Sequence, residues 1–342
     1  VTTQSRQRFR EASYWATGKA AIMAAVYPDG LPTTAVDTVA DDWTGVDPLP
    51  AGCKSITNYT VTEPGGRADG SSANAQLLHP EATPLDECVV FSAGHADWTV
   101  AYAGAMESHV VEVLLDAGFP VLIFDMPNYG LQPEQKVLIN GAIRIRSGKN
   151  SYHLPADTPA PWDGPSMVRL YTDHVIRAMN TVTRDLGITR FAFVGHSGGG
   201  ATGSLLCPLE PRFRVVHLMS GGAFTWGPTY SYVIDYETWS GNDVCLAVGG
   251  GATYKELCLF SAAFDGRVTV VHVCAEDPYF GPGTAGHKEY LDATRGWIEG
   301  NFPGAKISYY EKTDHTSGVD PYHSITTSQA AYVVQHLLAN MP

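Results

Sequence analysis

The sequence predicts an α/β fold on a mainly parallel, doubly wound sheet, and three observations carry that expectation. From Cys88 onward, short runs rich in β-branched and aromatic residues alternate with stretches of helical period, the pattern of strands joined by crossover helices. One of those runs, Phe191-Ala192-Phe193-Val194, passes through a glycine-flanked serine straight into a small-residue helix. The chain of 342 residues is 44% hydrophobic and only 17% charged, enough to bury a large core and to exclude intrinsic disorder. Length alone would admit two domains, but α/β folds commonly take more than about 200 residues as one unit.

Residues 1–50 hold one candidate helix around Arg8 to Val26 and then a stretch rich in Pro, Gly and Asp, so they read as an N-terminal extension to a domain spanning 51–342. Ile56 to Val61 and Asn74 to Leu78 read as antiparallel leading strands. The strands of the alternation are Cys88 to Ser92, Pro120 to Phe124, Arg190 to Val194, Phe213 to Met219, Val268 to Cys274 and Ile307 to Glu311. Between them fall helices at Ala101 to Ala117, Ser166 to Leu186, Gly198 to Cys207, His287 to Asn301 and Ser324 to Asn340. In the second of these, Met167, Leu170, His174, Ile176, Met179 and Val182 recur at helical spacing, so one face packs on the sheet. Two insertions interrupt the pattern, at about 127–161, with a hairpin expected in Lys136 to Arg146, and at about 221–266. Insertions longer than about 15 residues usually act as lids or binding elements.

Charge narrows the partners. The 22 Lys and Arg against 35 Asp and Glu give a net −13, which repels a phosphate backbone, so nucleic acid is not an expected partner. No run reaches the roughly 18 apolar residues needed to cross a bilayer; Phe119 to Phe124 has strand length, and a soluble chain without a membrane span is expected. Val1 is followed by no basic and apolar leader, which implies a signal peptide either removed or never present, and the compartment is not readable. The six cysteines include no CxxC pair and the histidines no HExxH, so neither metal nor cofactor is expected. Cys88, Cys207 and Cys274 read as buried free thiols, Cys245 and Cys258 as a candidate bridge across a Gly-rich loop, and Asn58-Tyr59-Thr60 as a glycosylation sequon. Nothing in the sequence speaks to oligomeric state.

The chemistry concentrates in Gly195-His196-Ser197-Gly198-Gly199, a G-x-S-x-G pattern in strand–turn–helix context. So tight a turn crowds the serine's neighbours, which is why glycine stands two residues to either side, and it leaves the hydroxyl exposed at the sheet's carboxyl edge. The alternative for Ser197 is an ordinary turn serine. A dinucleotide site is a further reading of Gly198-x-Gly200-x-x-Gly203, but it needs an acidic residue about 20 positions on, and Pro211 to Ile234 contains none.

With this elbow the chain resembles the α/β-hydrolase superfamily from approximately Cys53 to its C-terminus. The resemblance implies a serine nucleophile followed by an acid and then a histidine, on loops after two later strands. Val268 to Cys274 is followed by Ala275-Glu276-Asp277-Pro278, and Ile307 to Glu311 by Lys312-Thr313-Asp314-His315, so Ser197, Asp277 and His315 match that order. Glu276 is the alternative acid. His323, where the last helix starts, is the rival base, but the family's histidine stands soon after the last strand, which favours His315. His196, inside the elbow, is expected to tune the turn or its packing. Val89-Val90-Phe91-Ser92-Ala93-Gly94-His95 looks like the family's oxyanion strand and loop, so the backbone N–H groups of Gly198 and His95 are the expected donors, with Ala96 as the neighbouring option.

The resemblance implies a serine hydrolase that cleaves a carboxylic ester through an acyl-enzyme. A peptidase or amidase of the same fold is the enzymatic alternative, and a catalytically silent binding module the non-enzymatic one. Trp98, Trp226 and Trp239 head a set of aromatics, with Phe224, Tyr230, Tyr232, Tyr236, Tyr279 and Phe280, that would suit a small-molecule or glycan-linked ester. Packing of the insertion on the body explains them equally well.

Overall fold

A nine-stranded sheet forms because its central strands are apolar on both faces and its leading strands on one. The computed structural model describes residues 12–41, 48–64, 72–94, 108–127, 129–130, 135–139, 142–146, 166, 168–220, 254–277, 284–316 and 321–341. In chain order the elements are α1 (Ala12–Val26), β1 (Thr38–Ala40), β2 (Cys53–Thr62), β3 (Ser72–Pro80), β4 (Glu87–Ser92), α2 (Ser108–Asp116), β5 (Val121–Ile123) and the hairpin β6 (Gln135–Ile139) and β7 (Ala142–Arg146). There follow α3 (Val168–Leu186), β8 (Arg190–His196), α4 (Gly198–Leu206), β9 (Phe213–Met219), α5 (Tyr254–Ala262), β10 (Val268–Val273), α6 (Thr284–Asn301), β11 (Lys306–Glu311) and α7 (Thr327–Asn340).

The sheet order is β1-β2-β3-β5-β4-β8-β9-β10-β11, antiparallel through β5 and parallel from β5 to β11. All six residues of β4 and of β10 are buried, as interior parallel strands covered on both faces must be, whereas β2 mixes buried and exposed positions. One core gathers Trp15, Phe193, Phe260 and Ile298 from α1, β8, α5 and α6. The other gathers Val110, Leu114, Val194, Val333 and Leu337 from α2, β8 and α7, so helices cover both faces. The fold is the mainly parallel, doubly wound α/β class expected from the alternation.

Several details depart from the sequence reading. The segment read as an extension supplies Trp15, Ile22 and Val26 to the first core and β1 to the sheet edge. Helix α5 occupies the end of the second insertion. Cys258, on α5, is buried with its Sγ 3.2 Å from Ser204 Oγ, and Cys245, the other half of the candidate bridge, lies outside the described residues. Asn58 sits within β2, its amide oxygen accepting from Gln76 Nε2 at 2.6 Å, a position already committed to the sheet. No helix among the described residues is long and apolar enough to cross a membrane.

Two polar devices tie the layers together. Arg267 is fully buried and donates to the carbonyls of Phe213, Cys207, Ser261 and Glu210 at 2.6–2.9 Å, joining the ends of α4 and α5 to the start of β9. Burial pulls its pKa down to about 10, yet it stays charged at neutral pH. Under α7 runs a chain of imidazoles. Gln329 Nε2 donates to His272 Nδ1 (2.9 Å), His272 Nε2 then donates to His217 Nδ1 (2.9 Å), and His217 Nε2 donates to His336 Nδ1 (3.1 Å). Each neutral ring offers one donor and one acceptor, so the chain is satisfied only while all three remain neutral. Burial accordingly lowers the pKa of all three rings, that of His272 to about 3.

Candidate active site

Ser197 follows β8 with no intervening residue, and α4 starts at Gly198, so the reversal from strand to helix falls on one residue. Its backbone takes φ 54° and ψ −125°, a left-sided conformation that an L-residue holds only where its surroundings enforce it. Ser197 N–H donates to Met219 O (2.9 Å), hooking the elbow to the end of β9. Glycine is required around it by contact. A Cβ on Gly199 would stand 2.0 Å from Ser92 O, and one on Gly195 would stand 2.4 Å from Gly199 O. Gly94, at φ +80°, brings the chain leaving β4 against the start of α4, where its own Cβ would lie 2.5 Å from Gly198 N. The N–H of Gly198 therefore opens beside the loop from which a second donor is expected. His95 itself lies outside the described residues, as do Trp98, Trp226 and Trp239.

Three side chains meet at the carboxyl edge of the sheet. Ser197 Oγ lies 3.0 Å from His323 Nε2, and His323 Nδ1 lies 2.8 Å from Asp277 Oδ2. The carbonyl-like acceptor at Asp277 fixes the tautomer: Nδ1–H donates to the carboxylate, which leaves Nε2 free to accept from the serine hydroxyl. Asp277 and His323 are buried and Ser197 half-buried, so the pair behind the hydroxyl is withdrawn from water. Of the two neighbouring carboxylates, Glu276 is exposed and Asp277 turned inward, as expected for successive residues pointing opposite ways.

The base position requires a correction: His323 occupies the place expected of His315. His315 is exposed and lies against the Tyr322 ring, centroids 5.4 Å apart. The cause is the course of the chain beyond β11. Lys312 turns inward and its ammonium takes the carbonyls of Tyr322 (2.7 Å) and Ser324 (2.5 Å), drawing the segment that precedes α7 back over the strand end. Residues 313–315 are left on the outside, and His323 is carried to the serine. Helix α7 starts at Thr327, later than expected, because Thr326 Oγ1 accepts from Gln329 N and caps it. The signal that could have found His323 is this cap: it leaves Tyr322-His323-Ser324 as a pre-helix turn. His196 has a partner that its place in the elbow does not announce, its Nε2–H donating to His323 O at 2.8 Å.

Among the described residues no cluster of three His, Cys, Asp or Glu could hold a metal ion. The arrangement instead suits nucleophilic catalysis: a hydroxyl, a base to take its proton, a carboxylate to orient the base, and the N–H groups of a helix start beside the hydroxyl.

Comparison with known proteins is consistent with that geometry. A family profile described as the alpha/beta hydrolase fold matches residues 89–240. No curated protein matches the chain in sequence. Among solved structures, the methylesterase BT1017 superposes with a TM-score of 0.58 at 14% identity, covering 96% of this chain, which spans only 63% of that protein. The glucuronoyl esterase of Solibacter usitatus gives 0.55 at 14% identity, covering 95% of this chain and 92% of its own. The acetyl xylan esterase of Paenibacillus sp. R4 gives 0.52 at 14% identity with full coverage of both chains.

Proposed function

We propose that this chain, which has the α/β-hydrolase fold, is a serine-dependent carboxylic ester hydrolase. The observation that carries the reading is the unbroken sequence of hydrogen bonds from Asp277 through His323 to Ser197, ending on a strained serine at the start of a helix. A free hydroxyl is a weak nucleophile at neutral pH. As Ser197 Oγ attacks the ester carbonyl, its proton passes to His323 Nε2, and Asp277 stabilises the imidazolium that results. The carbonyl oxygen becomes an oxyanion, which the N–H of Gly198 and that of His95 would bind, assisted by the positive end of α4. Collapse breaks the bond to the alcohol, which leaves with the proton from His323 Nε2. Water then attacks the acyl-serine by the same route and restores the free enzyme.

The substrate class we infer is a small or glycan-linked ester. The names of the three structural neighbours support it, together with an acidic chain ill suited to polyanionic partners. The decisive experiment combines a fluorophosphonate probe with ester turnover. The probe is expected to label Ser197, and Ser197→Ala to abolish both labelling and hydrolysis of an acetyl ester while the protein stays folded. Turnover by Ser197→Ala at the parent rate would overturn the assignment, and faster cleavage of an anilide than of the matching ester would replace esterase by amidase.

A further inference from the structure

The segment bearing His323 is gripped through its backbone, and no part of the proton transfer described above uses the groups that grip it. The ammonium of Lys312, buried to 1% exposure, donates to Tyr322 O, Ser324 O and, at 3.4 Å, Pro321 O. Between the first two, the carbonyl of His323 itself accepts from His196 Nε2–H, the two imidazole rings lying 4.8 Å apart. Three consecutive carbonyls around the base are thus each held by a side chain, two from the residue after β11 and one from the last residue of β8. Lys312 N–H also donates to Val273 O (2.8 Å), at the end of the strand whose following loop carries Asp277.

A buried ammonium is an expensive way to fill space, since desolvation opposes it unless every donor is used. Here the three N–H donors meet three carbonyls, and burial lowers the pKa while Cys274, Asp277 and Asp314 raise it in part. What such an arrangement supplies is geometry. A catalytic base must sit within about 0.5 Å of its working position, and a loop between a strand and a helix does not by itself deliver that.

We propose that Lys312 and His196 are positioning residues for ester hydrolysis, fixing the carbonyls of Tyr322, His323 and Ser324 so that the His323 ring meets Ser197 and Asp277 together. The proposal rests on the assignment of Ser197 and His323 as nucleophile and base. Its test uses Lys312→Met, which removes the donors at similar length, and His196→Phe, which keeps a ring but loses the N–H. Turnover of p-nitrophenyl acetate is measured per site labelled to completion by fluorophosphonate, beside the melting temperature. Both variants are expected to lose roughly 10- to 100-fold in kcat, the cost of a misplaced catalytic group, with KM changed less than about two-fold. Parent-like kcat with a lowered melting temperature would reduce the grip to structural support and overturn the proposal. Raised KM at unchanged kcat would overturn it too, moving the effect to substrate binding. If Lys312→Met does not fold, His196→Phe decides by the same criteria. Ser197→Ala is run alongside: activity there would defeat the active-site reading, whereas an inert Ser197→Ala beside full-rate clamp variants would defeat only this proposal.

Discussion

His315 and His323 share a loop but not an environment, and that difference predicts opposite mutational outcomes. His323→Ala should remove the proton acceptor and cost on the order of 10⁴ to 10⁶ in kcat, whereas exposed His315→Ala should change it less than about three-fold. Asp277→Asn should cost on the order of 10⁴ by analogy with the serine-protease triad, since the amide favours the wrong tautomer, and Glu276→Gln should be mild. Steady-state kinetics of the four variants on one ester checks both pairs, and a crippled His315→Ala beside a healthy His323→Ala would invert the base assignment. The turn at Ser197 was legible in the sequence because its constraint is local, imposed by glycines within two residues of it. That Asp277 rather than Glu276 turns inward was legible because the turn after β10 is short. The place of His323 beside Ser197 was not, since it depends on an ammonium reaching back across the loop to Tyr322 and Ser324, a contact that spacing from the strand does not encode.

Among the elements, the parallel strands were readable because each is an apolar run buried on both faces, as in β4 and β10. Strand β1 escaped notice because three residues, none of them buried, carry no period of their own; pairing with β2 creates it. The turn after β4 shows how closely two elements are fitted at the site, and a pair of glycines tests it. Gly94 and Gly187 both hold positive φ, +80° and +71°, but a Cβ on Gly94 would meet Gly198 N at 2.5 Å, while one on Gly187 would meet nothing within 4 Å. Gly187→Ala, at the end of α3, should therefore cost only the backbone strain, about 1–2 kcal/mol in denaturant unfolding, and leave turnover intact. Gly94→Ala should push directly on the Gly198 N–H and lower kcat by about 10²- to 10³-fold, the range for a lost oxyanion donor. Equal and purely thermodynamic effects of the two substitutions would mean that the β4 turn has no part in the chemistry.

For the whole molecule, the buried histidines set the response to acid. Burial lowers the pKa of His174 and His272 to about 3 and depresses that of His217 as well, while in the unfolded chain each titrates near 6.5. Below about pH 6.5 the unfolded state therefore binds more protons, and stability is expected to fall with falling pH until the folded His174 and His272 rings themselves protonate near pH 3. Each ring contributes up to about 1.4 kcal/mol per pH unit across that window. Denaturant midpoints measured from pH 7.5 to 4 should fall steadily below pH 6.5; a flat profile from 7 to 5 would show that these rings protonate without resistance. A different consequence attaches to α1. Its Trp15 ring packs 5.3 Å from Phe260, and Lys19 donates to Ala263 O across 244 residues of sequence. A nascent chain lengthening at about 5–20 residues per second leaves the ribosome with that helix undocked for roughly 12–50 s. Throughout this interval an aromatic face built for the core stands in solvent. A helix made this early is among the last to find its seat, and slowing elongation prolongs the period in which a chaperone, or another nascent chain, can reach it first.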